Sequence, residues 1–274
     1  MRPPLVHVFD EYCRTMTPAL PSAILDQLES ASTRPRLTWY DSDGRIELSG
    51  HVVANWAVKT TNLLVEELDV EPGARVVLDL PTHWRALVWS LAAWRAGATV
   101  VVSPDDRSRL TEPDLRPDDV VVTDEPGRWT QSRSHLVAVA LHALARRFDG
   151  ELPPRALDAA SSVMTYSDRL GFVPATEEGE VALEVLGGPR VTYAELPDRL
   201  EQLASRGGSG TDASASTRAL LPVGAGALVT LLATAATLWS ADGSLVVVPS
   251  DLARDRVERI SADERTTARL GDAV

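Results

Sequence analysis

The sequence has a single lysine, Lys59, among 27 basic residues, and a single cysteine, Cys13. Because Lys59 does not follow a glycine-rich stretch, a Gly-x-x-x-x-Gly-Lys-Ser/Thr phosphate loop is excluded. One cysteine cannot form an internal disulfide or a cysteine-rich zinc site, which fits a reducing compartment. We therefore expect a cytoplasmic protein, in which Lys59 is a solvated residue on a helix.

Positive charge is scarce overall, since the formal net charge is -12. Nucleic-acid binding needs clustered cations that release counterions, so this class of partner is excluded. The amino terminus lacks the unbroken apolar run of a signal peptide. Residues 219–239 form a charge-free run long enough to span a bilayer, but Pro222, Gly224 and Gly226 near its start favour a strand, a glycine turn and a buried helix. We prefer that interpretation to a membrane span.

Strands and helices alternate along the chain, which is typical of a doubly wound α/β fold. Continuous apolar runs indicate strands buried on both faces of a parallel sheet, and apolar residues at three- and four-residue steps indicate helices. The elements predicted in the first half are a hairpin over residues 36–48 with a turn at 41–44, a helix capped by Ser49, a strand over 74–80, a helix over 84–96 capped by Thr82 and ended by Gly97, strands over 98–102 and 119–123, and a helix over 134–148.

The second half repeats this plan with different residues. A hairpin around Gly187-Gly188, a helix over 194–204, a strand over 218–221, a helix over 227–239 and a strand over 245–248 follow in the same order. The pattern predicts a pseudo-repeat of roughly 120 residues, in which Gly243 matches Gly97. We divide the chain into two related α/β halves, residues 1–150 and 151–274, packed as one unit.

Few residues are candidates for chemistry. Gly224 and Gly226 lie between a strand and a helix, where backbone amides can bind a phosphate, but Val229 stands where a dinucleotide motif needs a third glycine; we expect a tight turn. Among the histidines, His83 follows a strand at the edge where α/β folds bind ligands; we expect a surface or capping residue. The remaining histidines show no metal-site spacing: His7, His51, His135 and His142. The acidic pairs show no catalytic spacing, and we interpret them as solvated loop charges: Asp105-Asp106, Asp118-Asp119 and Glu177-Glu178.

Three stretches within residues 35–104 carry a family resemblance: LTWY at 37–40, PGARV at 72–76 and RAGA at 95–98. They resemble the N-terminal part of the AMP-binding, adenylate-forming acyl synthetases, and residues 219–252 are similar to a later segment of the same family. The resemblance implies the N-terminal large domain of such an enzyme, with two related α/β subdomains. A short actinobacterial family related to these synthetases is the match we expect.

The departures from that family matter more than the match. Its enzymes carry a Thr-Ser-Gly-Thr-Thr-Gly-x-Pro-Lys-Gly loop for the phosphates of ATP, where this sequence has Glu177, Glu178 and Glu180, and acidic side chains repel a triphosphate. The chain also ends at Val274, before the family's Tyr-Gly-x-Thr-Glu motif and C-terminal domain. No catalytic, cofactor-binding or metal-binding residue is assigned, and no cofactor is expected.

We therefore predict a truncated pseudoenzyme, a module that binds a small acyl or nucleoside ligand or a protein partner. Two alternatives remain open. One is a divergent acyl-adenylate ligase or nucleotide-binding enzyme that a partner chain completes. The other is a single-span membrane protein.

Overall fold

Two mixed sheets flanked by helices make up the computed structural model, which describes residues 20–30, 33–103, 110–111, 114–206 and 213–271. The helices are α1 (Leu20–Ser30), α2 (Gly50–Glu67), α3 (Trp84–Arg95), α4 (Ala159–Ser162), α5 (Leu196–Arg206), α6 (Leu228–Ser240) and α7 (Arg254–Asp263). The strands are β1 (Pro35–Asp41), β2 (Gly44–Ser49), β3 (Arg75–Asp79), β4 (Thr99–Val102), β5 (Val120–Thr123), β6 (His135–Ala138), β7 (Leu157–Asp158), β8 (Val181–Val185), β9 (Arg190–Thr192), β10 (Arg218–Val223), β11 (Ser244–Pro249) and β12 (Ala268–Arg269).

Both sheets are parallel except for one hairpin each. The seven-stranded sheet has the order β7-β6-β5-β3-β4-β8-β9, and the five-stranded sheet has the order β12-β10-β11-β1-β2. The antiparallel pairs are β8 with β9 and β1 with β2. The central strands β3, β4 and β5 are buried along their whole length, as continuous apolar runs in a parallel sheet require. The predicted α/β class is confirmed.

The hairpins are exchanged between the two parts of the chain. Hairpin β1–β2 extends the sheet of the later strands, because β1 pairs in parallel with β11 through Leu37 and Leu245. Hairpin β8–β9 extends the sheet of the earlier strands, because β8 pairs in parallel with β4 through Leu183 and Val100. The predicted order of hairpin, helix, strand, helix and strand thus occurs twice. Each sheet contains strands from both sides of residue 150, and the division of the chain into domains at that residue stays a prediction.

Two tryptophans at equivalent positions hold the exchanged hairpins. Trp94, at the end of α3, donates from Nε1 to the backbone oxygen of Ala182 in β8 at 2.8 Å. Trp239, at the end of α6, donates from Nε1 to the backbone oxygen of Arg36 in β1 at 3.1 Å. Both indoles are almost completely buried, so each hydrogen bond forms in an apolar setting where a buried donor needs a partner. The matching contacts support the internal repeat.

The predicted match of Gly243 with Gly97, at the turn from helix to strand, is displaced by one residue in the structure. Gly97 has a φ of 80°, as predicted for a residue that ends a helix. In the second copy the left-handed residue is Asp242, with a φ of 63°, and Gly243 comes one residue later. Aspartate tolerates this conformation better than most residues, and its carboxylate also accepts hydrogen bonds from Arg34 and Arg36.

The helix predicted over residues 134–148 is wrong. Residues His135–Ala138 form β6, which pairs in parallel with β5, and turns follow it. A short apolar run such as Leu136–Val139 fits a buried strand as well as a helix, and only the neighbouring strand decides. His135 and His142 therefore do not share a helix face.

The apolar run at residues 219–239 divides as predicted into β10, a turn and the 13-residue helix α6. Within the described residues no helix has both the length and the apolar character needed to cross a membrane.

Candidate functional site

His83 caps α3 at the carboxyl edge of the seven-stranded sheet. Its Nδ1 accepts a hydrogen bond from the backbone N–H of Arg85 at 3.2 Å, so the N-cap is His83 and the prediction of Thr82 is wrong. The imidazole can take the place of the Thr82 hydroxyl as the cap, because a histidine nitrogen also accepts hydrogen bonds from the free N–H groups at the start of a helix. His83 is only 8% exposed. Of the two roles expected for it, capping is correct and a surface position is not.

Aromatic rings of strand β1 and helix α3 flank His83. The ring of Trp39, in β1, lies 5.3 Å from it in an edge-on arrangement, and the ring of Trp84 lies 5.7 Å away. Burial, and to a smaller extent the charge of Arg85, lowers the pKa of His83 to about 4, while Asp41 opposes the change. At neutral pH the imidazole is uncharged, and its bonded Nδ1 leaves the proton on Nε2. The carboxyl edges of the two sheets thus meet at a neutral, buried histidine.

Arg85 is a buried cation without a carboxylate partner among the described residues. It is 6% exposed, and its guanidinium lies 4.3 Å from the ring centre of Trp84 and 4.9 Å from that of Trp56. It donates to two backbone oxygens, those of His142 at 3.2 Å and Ala143 at 3.3 Å, while its Nε has no partner. Burial lowers the pKa of Arg85 to about 10.

A small cavity lies against Arg85. Its other walls are Thr60 and apolar side chains of α2, α3 and the segments that follow β6 and β7. The cavity volume is about 10 Å³, which is room for roughly one water molecule. The partly exposed lining residues, Trp56 and Ala140, mark its mouth. This cavity is therefore too small for a substrate molecule.

The sequence did not identify Arg85 as a site residue. Its partners come from α2, from α3 and from the turns after β6, which the sequence assigned to a helix. The available signal was that Arg85 is one of very few polar residues in the apolar helix α3. A cation on a helix that is covered nearly all round has to be buried.

The turn at Gly224 and Gly226 is the tight turn predicted from the sequence. A Cβ on Gly224 would lie 2.8 Å from the Oγ of Ser250, and Gly226 has a φ of 79°. Both glycines thus have structural reasons to be present: close approach of a neighbouring side chain and a left-handed backbone.

The acidic residues proposed to replace the phosphate loop lie elsewhere. The backbone N–H of Tyr193 donates to the oxygen of Glu180, and the carboxylate of Glu180 lies beside Gly73, which precedes β3. Glu177, Glu178 and Glu180 are therefore at the amino edge of the sheet, opposite the carboxyl edge, because they precede β8. The position of a segment in the sequence does not show whether it lies at the amino edge or the carboxyl edge of the sheet until the bounds of the neighbouring strand are known.

The segment at the carboxyl edge is instead the turn Leu186–Pro189 between β8 and β9. The backbone N–H of Gly188 donates to the oxygen of Val185 at 2.8 Å, and Gly187 has a φ of 70°. The N–H of Leu186 donates to the oxygen of Val102, which places the turn next to the end of β4.

Other sequence candidates have structural roles or fall outside the described residues. Lys59 is half-buried, and its Nζ donates to the backbone oxygen of Tyr166. The prediction of a solvated lysine is therefore wrong. The segment after residue 165 packs on α2, and the pattern of residues around Lys59 does not reveal this contact. Asp119 is buried, not solvated, because it pairs with Arg75 at 2.9 Å, and burial raises its pKa. His7, Cys13, Asp105 and Asp106 lie outside the described part of the chain. Within that part no group of three His, Cys, Asp or Glu side chains is placed to hold a metal ion.

The fold is that of the N-terminal domain of adenylate-forming ligases. A benzoate CoA ligase from Burkholderia xenovorans LB400 matches 92% of this chain with a TM-score of 0.65 and 14% identity. The N-terminal domain of FACL13 from Mycobacterium tuberculosis also matches 92%, with a TM-score of 0.61 and 17% identity. The chain covers 49% of the former structure and 62% of the latter. It therefore spans about half the length of the benzoate CoA ligase, and the family resemblance seen in the sequence is confirmed.

A closer relative defines the family. No protein-family model matches the chain. A TIGR03089 family protein from Mycobacterium tuberculosis (strain ATCC 25618 / H37Rv) is 34% identical over 208 residues, which cover 74% of this chain and 80% of that protein. The chain belongs to the TIGR03089 family.

Proposed function

We propose that this chain is a pseudoenzyme with the fold of an adenylate-forming ligase, which forms no adenylate and acts as a ligand-binding or partner-interaction module. The observation that supports the proposal most is the turn Leu186–Pro189. It connects β8 to β9 with four residues at the carboxyl edge of the sheet. Four residues that close a hairpin leave no loop to wrap a triphosphate.

Most of the polar groups at this turn are already engaged. The N–H of Gly188 is bonded to Val185, so it is not free for a phosphate oxygen. The nearest cation in sequence, Arg190, pairs with Glu184 at 3.4 Å, and Glu184 also lies 3.4 Å from Arg75. Phosphate binding needs unpaired donors and net positive charge; two of the three N–H groups of this turn are bonded, and Glu184 offsets the charge of Arg190.

Neither the surroundings of His83 nor the cavity beside Arg85 offers room for a substrate. His83 is buried and neutral between Trp39 and Trp84, so it is poorly placed to exchange a proton with a ligand in solution. The cavity beside Arg85 holds about one water molecule. These features support a role that needs no ATP at this edge.

The test is titration of the purified chain with ATP and magnesium in a calorimeter, followed by a pyrophosphate-release assay with a panel of carboxylic acids. We expect no saturable heat and no pyrophosphate above the protein-free rate. Micromolar ATP binding, or release of pyrophosphate by the chain alone, would refute the proposal.

Exposed apolar side chains support the partner-interaction role over ligand binding. Leu144, Met164 and Phe172 are 84%, 58% and 85% exposed, and all three lie in the connection between β6 and β8. A contiguous patch of exposed apolar side chains is typical of contact surfaces, and we propose that these three side chains belong to one. If a partner instead completes a ligase, the co-purified complex releases pyrophosphate while the chain alone does not, and the alternative enzyme function is then correct.

A further inference from the structure

The buried guanidinium of Arg85 lacks a compensating negative charge within the described residues. Its hydrogen-bond partners are two neutral backbone oxygens, its two flanking groups are indole rings, and its Nε has no partner. Removing a cation from water is costly unless an anion compensates it. The interactions with carbonyls and indoles offset only part of that cost.

The position of Arg85 on its helix increases the need for an anion. Arg85 is the second residue of α3, where the helix dipole presents a partial positive charge. The guanidinium and the dipole therefore repel each other. A negative charge placed between them is stabilised by both.

The cavity beside Arg85 has the size and lining for such an ion. Its volume of about 10 Å³ admits one water-sized group. Its lining residues include Arg85 and no acidic side chain; Thr60 adds a hydroxyl, and Val139 and Ala160 are among the apolar walls. Apolar walls favour a weakly hydrated ion of single charge, because a strongly hydrated ion loses more on leaving water.

We infer that this cavity is a binding site for a monovalent anion of chloride size, held by the guanidinium of Arg85. The inference is independent of the proposed function, since the ion lies in the apolar wall of the carboxyl edge and not at the Leu186–Pro189 turn. Bound there, the ion fixes Arg85 between Trp56 and Trp84 and so fixes the contact of α3 with α2.

The test is equilibrium unfolding of the full chain at increasing sodium chloride, with sodium gluconate added to keep the ionic strength constant. Gluconate is too large for the cavity. Above the dissociation constant, each tenfold rise in chloride is expected to raise the unfolding free energy of the wild type by about 1.4 kcal/mol. Arg85→Met is expected to show no dependence on chloride, and Arg95→Met, at the other end of the same helix, is expected to keep the wild-type slope.

Two further measurements keep the inference testable if Arg85→Met does not fold. Ala140→Leu adds side-chain volume at the cavity without changing the charge, and we expect the chloride concentration at which stability begins to rise to increase at least tenfold. In crystals grown in sodium bromide, the anomalous signal of bromide is expected next to Nε of Arg85. Equal chloride slopes for the wild type and Arg85→Met, or the absence of bromide at Arg85 in an ordered crystal, would overturn the inference.

Discussion

Burial of neutral His83 should make the protein lose stability as the pH falls, beginning well above the pH at which most carboxylates titrate. The pKa of His83 is about 4 in the folded chain, and its ordinary value is 6.5. Between these two values the unfolded chain binds a proton at this residue and the folded chain does not. Stability therefore rises with pH across the window, is complete above pH 6.5, and is lost as the pH falls towards 4.

The size of the effect follows from the difference between the two pKa values. One pH unit corresponds to about 1.4 kcal/mol, so a window from pH 6.5 to about 4 accounts for about 3 kcal/mol. The conversion applies because the residue is only 8% exposed, so that solvent screens it little. This is a large fraction of the stability of an ordinary domain.

The variant to compare with the wild type is His83→Asn. Asparagine is a favoured N-cap and retains an acceptor for the N–H of Arg85, but it does not titrate. We expect the difference in unfolding free energy between wild type and His83→Asn, measured by urea denaturation at half-unit steps, to fall by about 3 kcal/mol between pH 6.5 and 4. Parallel pH profiles for the two proteins would show that His83 is not the buried neutral group described above.

Two other substitutions test the packing of the sheets. Burial raises the pKa of Glu264, but hydrogen bonds from three side chains outweigh it and lower the pKa to about 2. The wild type therefore has a stabilising contribution from Glu264 that is complete above pH 4.5 and is lost as the pH falls towards 2. Glu264→Gln should lack this contribution, as acid titration followed by circular dichroism can show. Gly97→Ala should destabilise the protein by at least about 1 kcal/mol, because φ is 80° and the new Cβ would lie 2.5 Å from the Oγ1 of Thr176. Gly127→Ala, where no heavy atom lies within 4 Å, is its control in thermal unfolding, and equal losses would contradict the strain at Gly97.

The sequence predicted best those elements whose burial is uniform. Strands β3, β4 and β11 each carry at least three consecutive buried apolar residues, because other residues pack on both of their faces. The same uniform burial led to the wrong prediction of a helix over residues 134–148, because β6 is too short for its apolar pattern to be distinguished from that of a helix. The pairing of β6 with β5 is a long-range contact, and no local pattern contains it.

The candidate site was only partly predictable for a related reason. His83 could be located because a residue directly after a parallel strand must lie at the carboxyl edge. Its burial could not, because Trp39 reaches it from the other sheet. Nor could the sequence place Arg85 between Trp56 and Trp84, since that arrangement depends on how α2 packs against α3.

The exchanged hairpins are held in their sheets by contacts of their strands. Hairpin β8–β9 is held by the parallel pairing of β8 with β4 and by the hydrogen bond from Trp94 to Ala182. Of the residues between the two strands, Leu186 adds one further hydrogen bond, from its N–H to the oxygen of Val102 in β4. The turn itself costs little to form, because short turns cost less entropy to close than long loops. In this architecture the contacts that hold hairpin β8–β9 in the sheet therefore lie mainly in its strands, and the length of the turn between them can vary with little effect on the sheet.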